Sequence, residues 1–319
     1  MNMSLSIIVP CFNEEAVIDE SYKRISRVLS EMKYLSEIIF INDGSYDKTE
    51  QILSSIAKTD FRVKVISFSR NFGHQQAVTA GLNHCFSDMA VIIDADLQDP
   101  PELIPDMIRT MNDTGAQVVY CVRKQRKGEG FFKKITAKWF YRMLNSLSEI
   151  KLPVDTGDFR LLDKSIIREF NKLHEKGKYI RGLISWIGFK QVPYYYERDP
   201  RFAGETKYPL SKMLKLATTS MLYFSTKPLR IATTIGFLSV ILAFGLTIWF
   251  VLGKILGFTH ADTGWTSLFV LITFLGGVQL ITIGIIGEYV GNLFKEIKNR
   301  PEYIIQKKEN FGDDPEKEI

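Results

Sequence analysis

Two long uncharged runs in the last third of the chain constrain its fold more than any other feature. No Asp, Glu, Lys or Arg interrupts the stretch from Ile231 to Gly253, nor that from Thr263 to Gly287. As helices rising about 1.5 Å per residue, each reaches roughly 35 Å, enough to cross a hydrocarbon core about 30 Å thick. A buried hairpin in a soluble core is the alternative, and soluble helices rarely run so far without a charge. The short link, about Lys254 to Asp262, makes the runs antiparallel neighbours. The flanks then set sidedness: Lys227 and Arg230 precede the first run, and Lys295, Lys298, Arg300, Lys307 and Lys308 follow the second. With Lys254 alone in the link, both termini are expected on the cytoplasmic side of a plasma (inner) membrane. No signal peptide is expected, because Asn13, Glu14 and Glu15 break the first apolar run. Gly276, Gly277, Gly284, Gly287 and Gly291 put small residues on the second run, which permits close helix contact and oligomerisation.

The remaining two thirds read as a soluble α/β protein. Apolar residues make up 45% of the chain, too many for wholesale disorder, and 41 Lys+Arg against 36 Asp+Glu leave a mild excess of +5. Cys11, Cys85 and Cys121 have no paired spacing, which excludes a disulfide scaffold or zinc ribbon and suits a reducing compartment. Strand-like runs at Leu5–Pro10, Glu37–Asp43, Val63–Phe68, Met89–Asp96 and Gln117–Val122 alternate with amphipathic stretches 14–32, 47–58, 74–86 and 101–112. Near-continuous Val and Ile fit strands covered on both faces, so the alternation predicts a doubly wound, mostly parallel sheet with helices on both faces. The expected organisation is a catalytic domain over 1–206, an amphipathic juxtamembrane helix over 207–228, a membrane unit over 229–294 with spans near 231–253 and 266–288, and a cytoplasmic tail over 295–319.

In open α/β sheets, ligands bind at the carboxyl ends of the strands. Here those ends carry Pro10-Cys11-Phe12-Asn13-Glu14-Glu15, Asn42-Asp43-Gly44-Ser45, Ser69-Arg70-Asn71-Phe72-Gly73 and Asp94-Ala95-Asp96-Leu97-Gln98-Asp99. Each could merely cap the next helix, the reading preferred for Asp47, but four polar ends on one edge favour a site. Asp94 and Asp96, alternate residues of an extended segment, point the same way. Two carboxylates held together both ionise comfortably only beside a cation, and hard oxygen ligands favour Mg2+ or Mn2+. Gln98 could add a carbonyl oxygen. No Gly-x-Gly-x-x-Gly turn follows the first strand and no Walker lysine loop occurs, so a metal, not a glycine cradle, would hold a diphosphate. Asp43 and Glu14 would be free to accept hydrogen bonds from a base and a ribose.

A second constellation is basic. Arg123, Lys124, Arg126, Lys127, Lys133, Lys134, Lys138 and Arg142 interleave with Phe131, Phe132, Ile135, Trp139, Phe140 and Leu144. The alternatives are a solvated face packed on the sheet and a nucleic-acid face. The two apolar runs favour a membrane-surface helix, with no nucleic-acid partner. A second such helix, 210–224, leads into the first apolar run.

The segments IIVPCFNEE, INDGSYDKT, SRNFGHQQAVTAGL, DADLQDPPELI, DTGDFRLLD and RFAGETKYPLSK together resemble family 2 inverting glycosyltransferases of GT-A fold. The likeness is to the polyprenyl-phosphate branch: bacterial bactoprenol (undecaprenyl-phosphate) glucosyltransferases, relatives of dolichyl-phosphate mannose and glucose synthases. That resemblance implies a UDP-sugar donor, a polyprenyl phosphate acceptor in the lipid bilayer, a divalent metal and a homo-oligomer. It places Pro10, Asn13, Glu14, Asp43, Arg70, Asp94 and Ala95 around the nucleotide sugar, and Asp94, Asp96 and Gln98 on the metal. Asp158 would face the donor sugar, mainly positioning it and stabilising its cationic transition state, with a role as base the second reading. Arg123, Arg201 and Lys133 or Lys134 would bind the acceptor phosphate, while Arg160 would be an internal partner for a carboxylate. Glucose is the sugar expected first, then N-acetylglucosamine. A processive polysaccharide synthase would need a Gln-x-x-Arg-Trp element and more spans, and a non-catalytic adaptor would not need intact Asp94, Asp96 and Asp158.

Overall fold

The computed structural model describes residues 3–123, 156–197, 226–256 and 264–312. The chain runs β1 (Ser4–Cys11), α1 (Ile18–Ser30), β2 (Leu35–Asn42), α2 (Thr49–Thr59), β3 (Val63–Phe68), α3 (His74–Asn83), β4 (Met89–Ile92), α4 (Ile104–Thr114), β5 (Val118–Arg123) and β6 (Thr156–Asp163). Then follow α5 (Lys164–Asn171), α6 (Ile180–Ile187), β7 (Gln191–Tyr196), α7 (Lys227–Ile255), α8 (Gly264–Ile297) and β8 (Ile305–Glu309). The basic stretch after Arg123 and the amphipathic helix expected over 210–224, and with them Lys133, Lys134 and Arg201, lie outside the described residues, while residues 227–228 of the expected 207–228 segment already belong to α7.

The eight strands form one sheet in the order β7-β5-β6-β4-β1-β2-β3-β8. The expected parallel core is present, β4-β1-β2-β3, with β1 in register from Ser4↔Leu35 to Cys11↔Asn42. The sheet is nevertheless mixed. β6 inserts antiparallel between β4 and β5, and β8 adds antiparallel to β3. Alternate residues of β1 serve two faces. Leu5, Ile7, Val9 and Cys11 join a core with Ile25 of α1, Leu53 of α2 and Met107 of α4. On the other face Ile8 meets α3 at Gly81, where an added Cβ would lie 2.3 Å from Ile8 Cγ2. Glycine is required there to bring helix and sheet together.

The stretch beyond 295, expected as a tail, is instead structured. α8 continues to Ile297, and β8 then closes the β3 edge of the sheet. Ser69 N–H donates to the Ile304 carbonyl, Asn83 Nδ2 donates to the Tyr303 hydroxyl, and Tyr303 stacks on Phe68 at 5.0 Å. The acidic end, 313–319, lies outside the described residues.

The chain divides into two compact units, one holding the sheet and the other α7 and α8. In the second unit, Leu229–Leu246 has a mean hydropathy of 1.9 and Phe274–Ile297 of 1.4, and both helices are long enough to cross a bilayer. Phe237, Phe244 and Trp249 on α7 and Leu280 and Ile281 on α8 are exposed. A Cβ added at any of the five α8 glycines named above meets nothing within 4 Å among the described residues.

Candidate active site

The polar strand ends do gather on the carboxyl edge, and the first structural centre there is Asp43. Just past β2 and 3% exposed, its Oδ1 accepts from Phe72 N–H at 2.7 Å, and its Oδ2 accepts from Gly73 N–H at 2.9 Å and Asn71 Nδ2 at 3.0 Å. Burial raises its pKa, and the two backbone donors oppose that shift. The carboxylate therefore fixes the loop that launches α3. Gly44 follows at φ 63°, and a Cβ there would stand 2.3 Å from the Arg70 backbone carbon. This close approach is why a glycine follows the acid.

Asn13, another left-handed residue at φ 53°, donates its N–H to Ser45 Oγ and accepts from Tyr46 N–H through Oδ1. Glu14 is half-buried, and its N–H donates to Thr49 Oγ1. Asp47 does cap: Oδ1 accepts from Thr49 N–H and Oδ2 from Glu15 N–H. Burial works against its charge, but these hydrogen bonds prevail and lower its pKa. Pro10 and Ala95 are buried, so they shape the floor of the edge. Arg70 is exposed, with its guanidinium 4.0 Å from the Phe72 ring centre and Nη1 donating to the Asn71 carbonyl.

β4 stops at Ile92, four residues short of the strand expected, because the chain turns out of the sheet to present its acids. Ala95 stays in the core while Asp94 and Asp96 are partly exposed, and Gln98 N–H donates to Asp96 Oδ1 at 3.1 Å. Leu97 makes that turn at φ 58°, an uncommon conformation for a side chain branched at Cγ and one that clusters at functional sites.

Asp158 lies on β6, 8% exposed, and two residues from distant parts of the chain hold it. Arg181, in the first turn of α6, donates from Nε to Oδ1 at 2.7 Å and from Nη2 to Oδ2 at 3.0 Å. His74, the first residue of α3, places Nε2 3.1 Å from Asp158 Oδ2 and 3.8 Å from Asp94 Oδ1. Burial disfavours the charge on Asp158, but Arg181 and the hydrogen bonds from both partners hold its carboxyl well below the ordinary range. Burial likewise disfavours imidazolium at His74; the bond to Asp158 and the charges of Asp94 and Asp158 overcome it and raise the pKa to about 9. Asp94 moves oppositely. Burial first, then the charges of Asp158, Asp99 and Asp96, push it up to about 6 against the pull of His74.

That crowding of acids is electrostatically unfavourable without a neighbouring positive charge. Among the described residues no three His, Cys, Asp or Glu side chains are grouped to chelate an ion by themselves. Asp94, Asp96 and Gln98 carry oxygen donors of the kind a hard divalent ion takes. Arg123, the last residue of β5, lies against Gly157, where an added Cβ would stand 3.1 Å from its Nη2. Arg160 corrects an expectation. Among the described residues it makes no ion pair within 4 Å; Nη2 donates to the Gly157 carbonyl, and burial lowers its pKa to about 10 against the pull of the Asp158 charge. The carboxylate partner is Arg181 instead.

Residues 6–170 match the Glycosyl transferase family 2 model. The chain is 48% identical over 307 residues to the uncharacterized glycosyltransferase YkcC of Bacillus subtilis, covering 96% of this chain and 94% of that one. It is 42% identical over 306 residues to the bactoprenol glucosyl transferase of Shigella phage SfII, covering 96% and 98%. The prophage bactoprenol glucosyl transferase homolog of Escherichia coli is likewise 42% identical over 306 residues, covering 96% and 99%.

Proposed function

The chain belongs to glycosyl transferase family 2, and we propose that it is a membrane-bound inverting enzyme that moves a sugar, glucose first, from a UDP-sugar to undecaprenyl phosphate. UDP-N-acetylglucosamine is the next donor to test. The bactoprenol glucosyl transferases covered over nearly their whole length support the acceptor, and the apolar helices α7 and α8 suit a lipid substrate. In this reading both helices cross the membrane and both termini face the cytoplasm.

The observation that carries the chemistry is the ionised Asp158, pinned by Arg181 and His74 next to Asp94. The acceptor is a phosphate monoester with a second pKa of about 6, so it is mostly dianionic at neutral pH and needs no strong base. A carboxylate held so far below the ordinary range is a poor base in any case. Asp158 instead holds the donor sugar and offers fixed negative charge as the anomeric carbon becomes cationic. An acceptor oxygen attacks that carbon from the face opposite UDP, the bond to the UDP oxygen breaks, and the configuration inverts. Asn13, Glu14, Asp43 and Arg70 frame the nucleotide over the floor made by Pro10 and Ala95. Asp94, Asp96 and Gln98 would hold Mg2+ or Mn2+, which when bound supplies charge stabilisation on the departing diphosphate. Arg123, with Arg201 and Lys133 or Lys134, would orient the acceptor phosphate.

The test is a panel of radiolabelled UDP- and GDP-sugars with undecaprenyl phosphate, scoring label extracted into organic solvent. Labelled lipid is expected with UDP-glucose and should vanish on chelation. The proposal fails if no sugar nucleotide yields labelled lipid. For Arg201→Ala, weaker use of the lipid with UDP binding retained is expected; an equal loss of UDP binding would remove Arg201 from the acceptor pocket.

A further inference from the structure

We propose that Arg181 is the positioning residue of the transfer reaction, fixing the plane and charge of the Asp158 carboxylate where the donor sugar reacts. The inference rests on the preceding reading that Asp158 faces that sugar. An isolated carboxylate on a strand can turn about its terminal torsion, and a planar fork stops that rotation. Arg181 supplies such a fork, one nitrogen to each Asp158 oxygen, and its third nitrogen, Nη1, donates to the Thr156 carbonyl at 2.8 Å. The guanidinium thus spans both ends of the Thr156-Gly157-Asp158 segment of β6.

The helix that carries Arg181 is itself anchored at its start. Ile180 N–H donates to Gln75 Oε1 at 2.9 Å, and the buried Lys178 pairs with Glu302 at 3.4 Å. Gln75 is the neighbour of His74, so two successive residues of α3 tie together the strand bearing Asp158 and the helix bearing its clamp. Arg160 shows what a structural guanidinium looks like two residues along β6. It is 4% exposed, with one hydrogen bond, to a carbonyl, among the described residues. The Arg181 side chain is 30% exposed and aims all three nitrogens at the site-bearing segment, the geometry of preorganisation and not of core filling. Without it, Asp158 would face Asp94 with His74 as their shared cation, and the two acids would repel.

The experiment uses the full-length chain carrying Arg181→Gln or Arg181→Lys, with steady-state kinetics on UDP-glucose and undecaprenyl phosphate and calorimetric UDP binding. Arg181→Gln should lower kcat about 100-fold, the scale for losing one preorganised electrostatic group. The KM for UDP-glucose and the UDP affinity should stay within about threefold of wild type. Arg181→Lys keeps charge but loses the fork, so about a tenfold fall in kcat is expected. Added guanidinium ion should restore part of the Arg181→Gln rate and none of the Asp158→Asn rate. A folded Arg181→Lys or Arg181→Gln protein with wild-type kcat overturns the assignment. So does a loss of UDP affinity as large as the loss of kcat, which would mark Arg181 as a general prop. If Arg181→Gln does not fold, Arg181→Lys carries the same decision. A wild-type chain that transfers no sugar to the lipid refutes the underlying reading, whereas an active wild type with undiminished variants refutes the role of Arg181 alone.

Discussion

Asp43→Asn, almost isosteric, should unfasten the loop that carries the start of α3. The carboxylate accepts three hydrogen bonds through its two oxygens, from Phe72 N–H, Gly73 N–H and Asn71 Nδ2. An amide has one acceptor oxygen. Turned toward Gly73 and Asn71, it sets its NH2 against Phe72 N–H; turned the other way, it abandons two donors. A hydrogen bond to a charged group contributes about 1.5–3 kcal/mol, and a buried donor left unmet costs about 1–3 kcal/mol. Burial penalises the native charge, so neutralising it returns part of that loss. A net destabilisation of about 2–4 kcal/mol follows, or roughly 4–16 °C in the melting temperature of a unit this size. The measurement is thermal denaturation of the detergent-solubilised chain, paired with UDP calorimetry. Melting should fall and UDP binding should weaken with it. A variant that melts within about 1 °C of wild type and binds UDP normally would show that the carboxylate is not the fastener of this loop.

Three further outcomes follow from the same geometry. Asp96→Ala should retain folding and membrane insertion but lose transfer by about 100-fold or more, read as label in extractable lipid; normal turnover would remove the metal assignment. His74 has a folded pKa raised to about 9 from an ordinary value of 6.5, so its contribution is complete below pH 6.5 and lost as pH rises through 9. The melting difference between wild type and His74→Gln in nucleotide-free protein should therefore shrink across that window, and a constant difference would contradict the imidazolium–Asp158 contact. Gly81→Ala forces a methyl into Ile8 and Ile41 and should cost about 1–3 kcal/mol, visible in denaturant melts; an unchanged midpoint would mean that α3 does not pack so closely on β1.

Much of the fold was legible because it rests on local signals. The continuous Val and Ile of β1 to β4 mark strands covered on both faces, and their polar ends lie on one edge as expected. β6 was harder to read. Its sequence TGDFRLLD carries an acid and an arginine that serve the site or the interior, and these interrupt the apolar run that announces a strand. β8, with IQKKE, reads as a solvated tail, and a charged edge strand has that composition for good reason, since Lys on an edge discourages further pairing.

The candidate site divides the same way. Asp43, Asp94, Asp96 and Asp158 stand out as acids within recognisable motifs. His74 and Arg181 went unrecognised, although His74 lies inside the quoted segment SRNFGHQQAVTAGL, because nothing local tells a partner from a surface residue. They stand 84 and 23 residues from Asp158. The sequence alone therefore determined the parallel core, the acid-rich edge and two helices apolar enough to span a bilayer, since each is written in the spacing of neighbouring residues. Only the tertiary structure decided which cations neutralise which acids, because that depends on how α3, β6 and α6 converge, and Coulomb interactions follow distance in space, not separation along the chain.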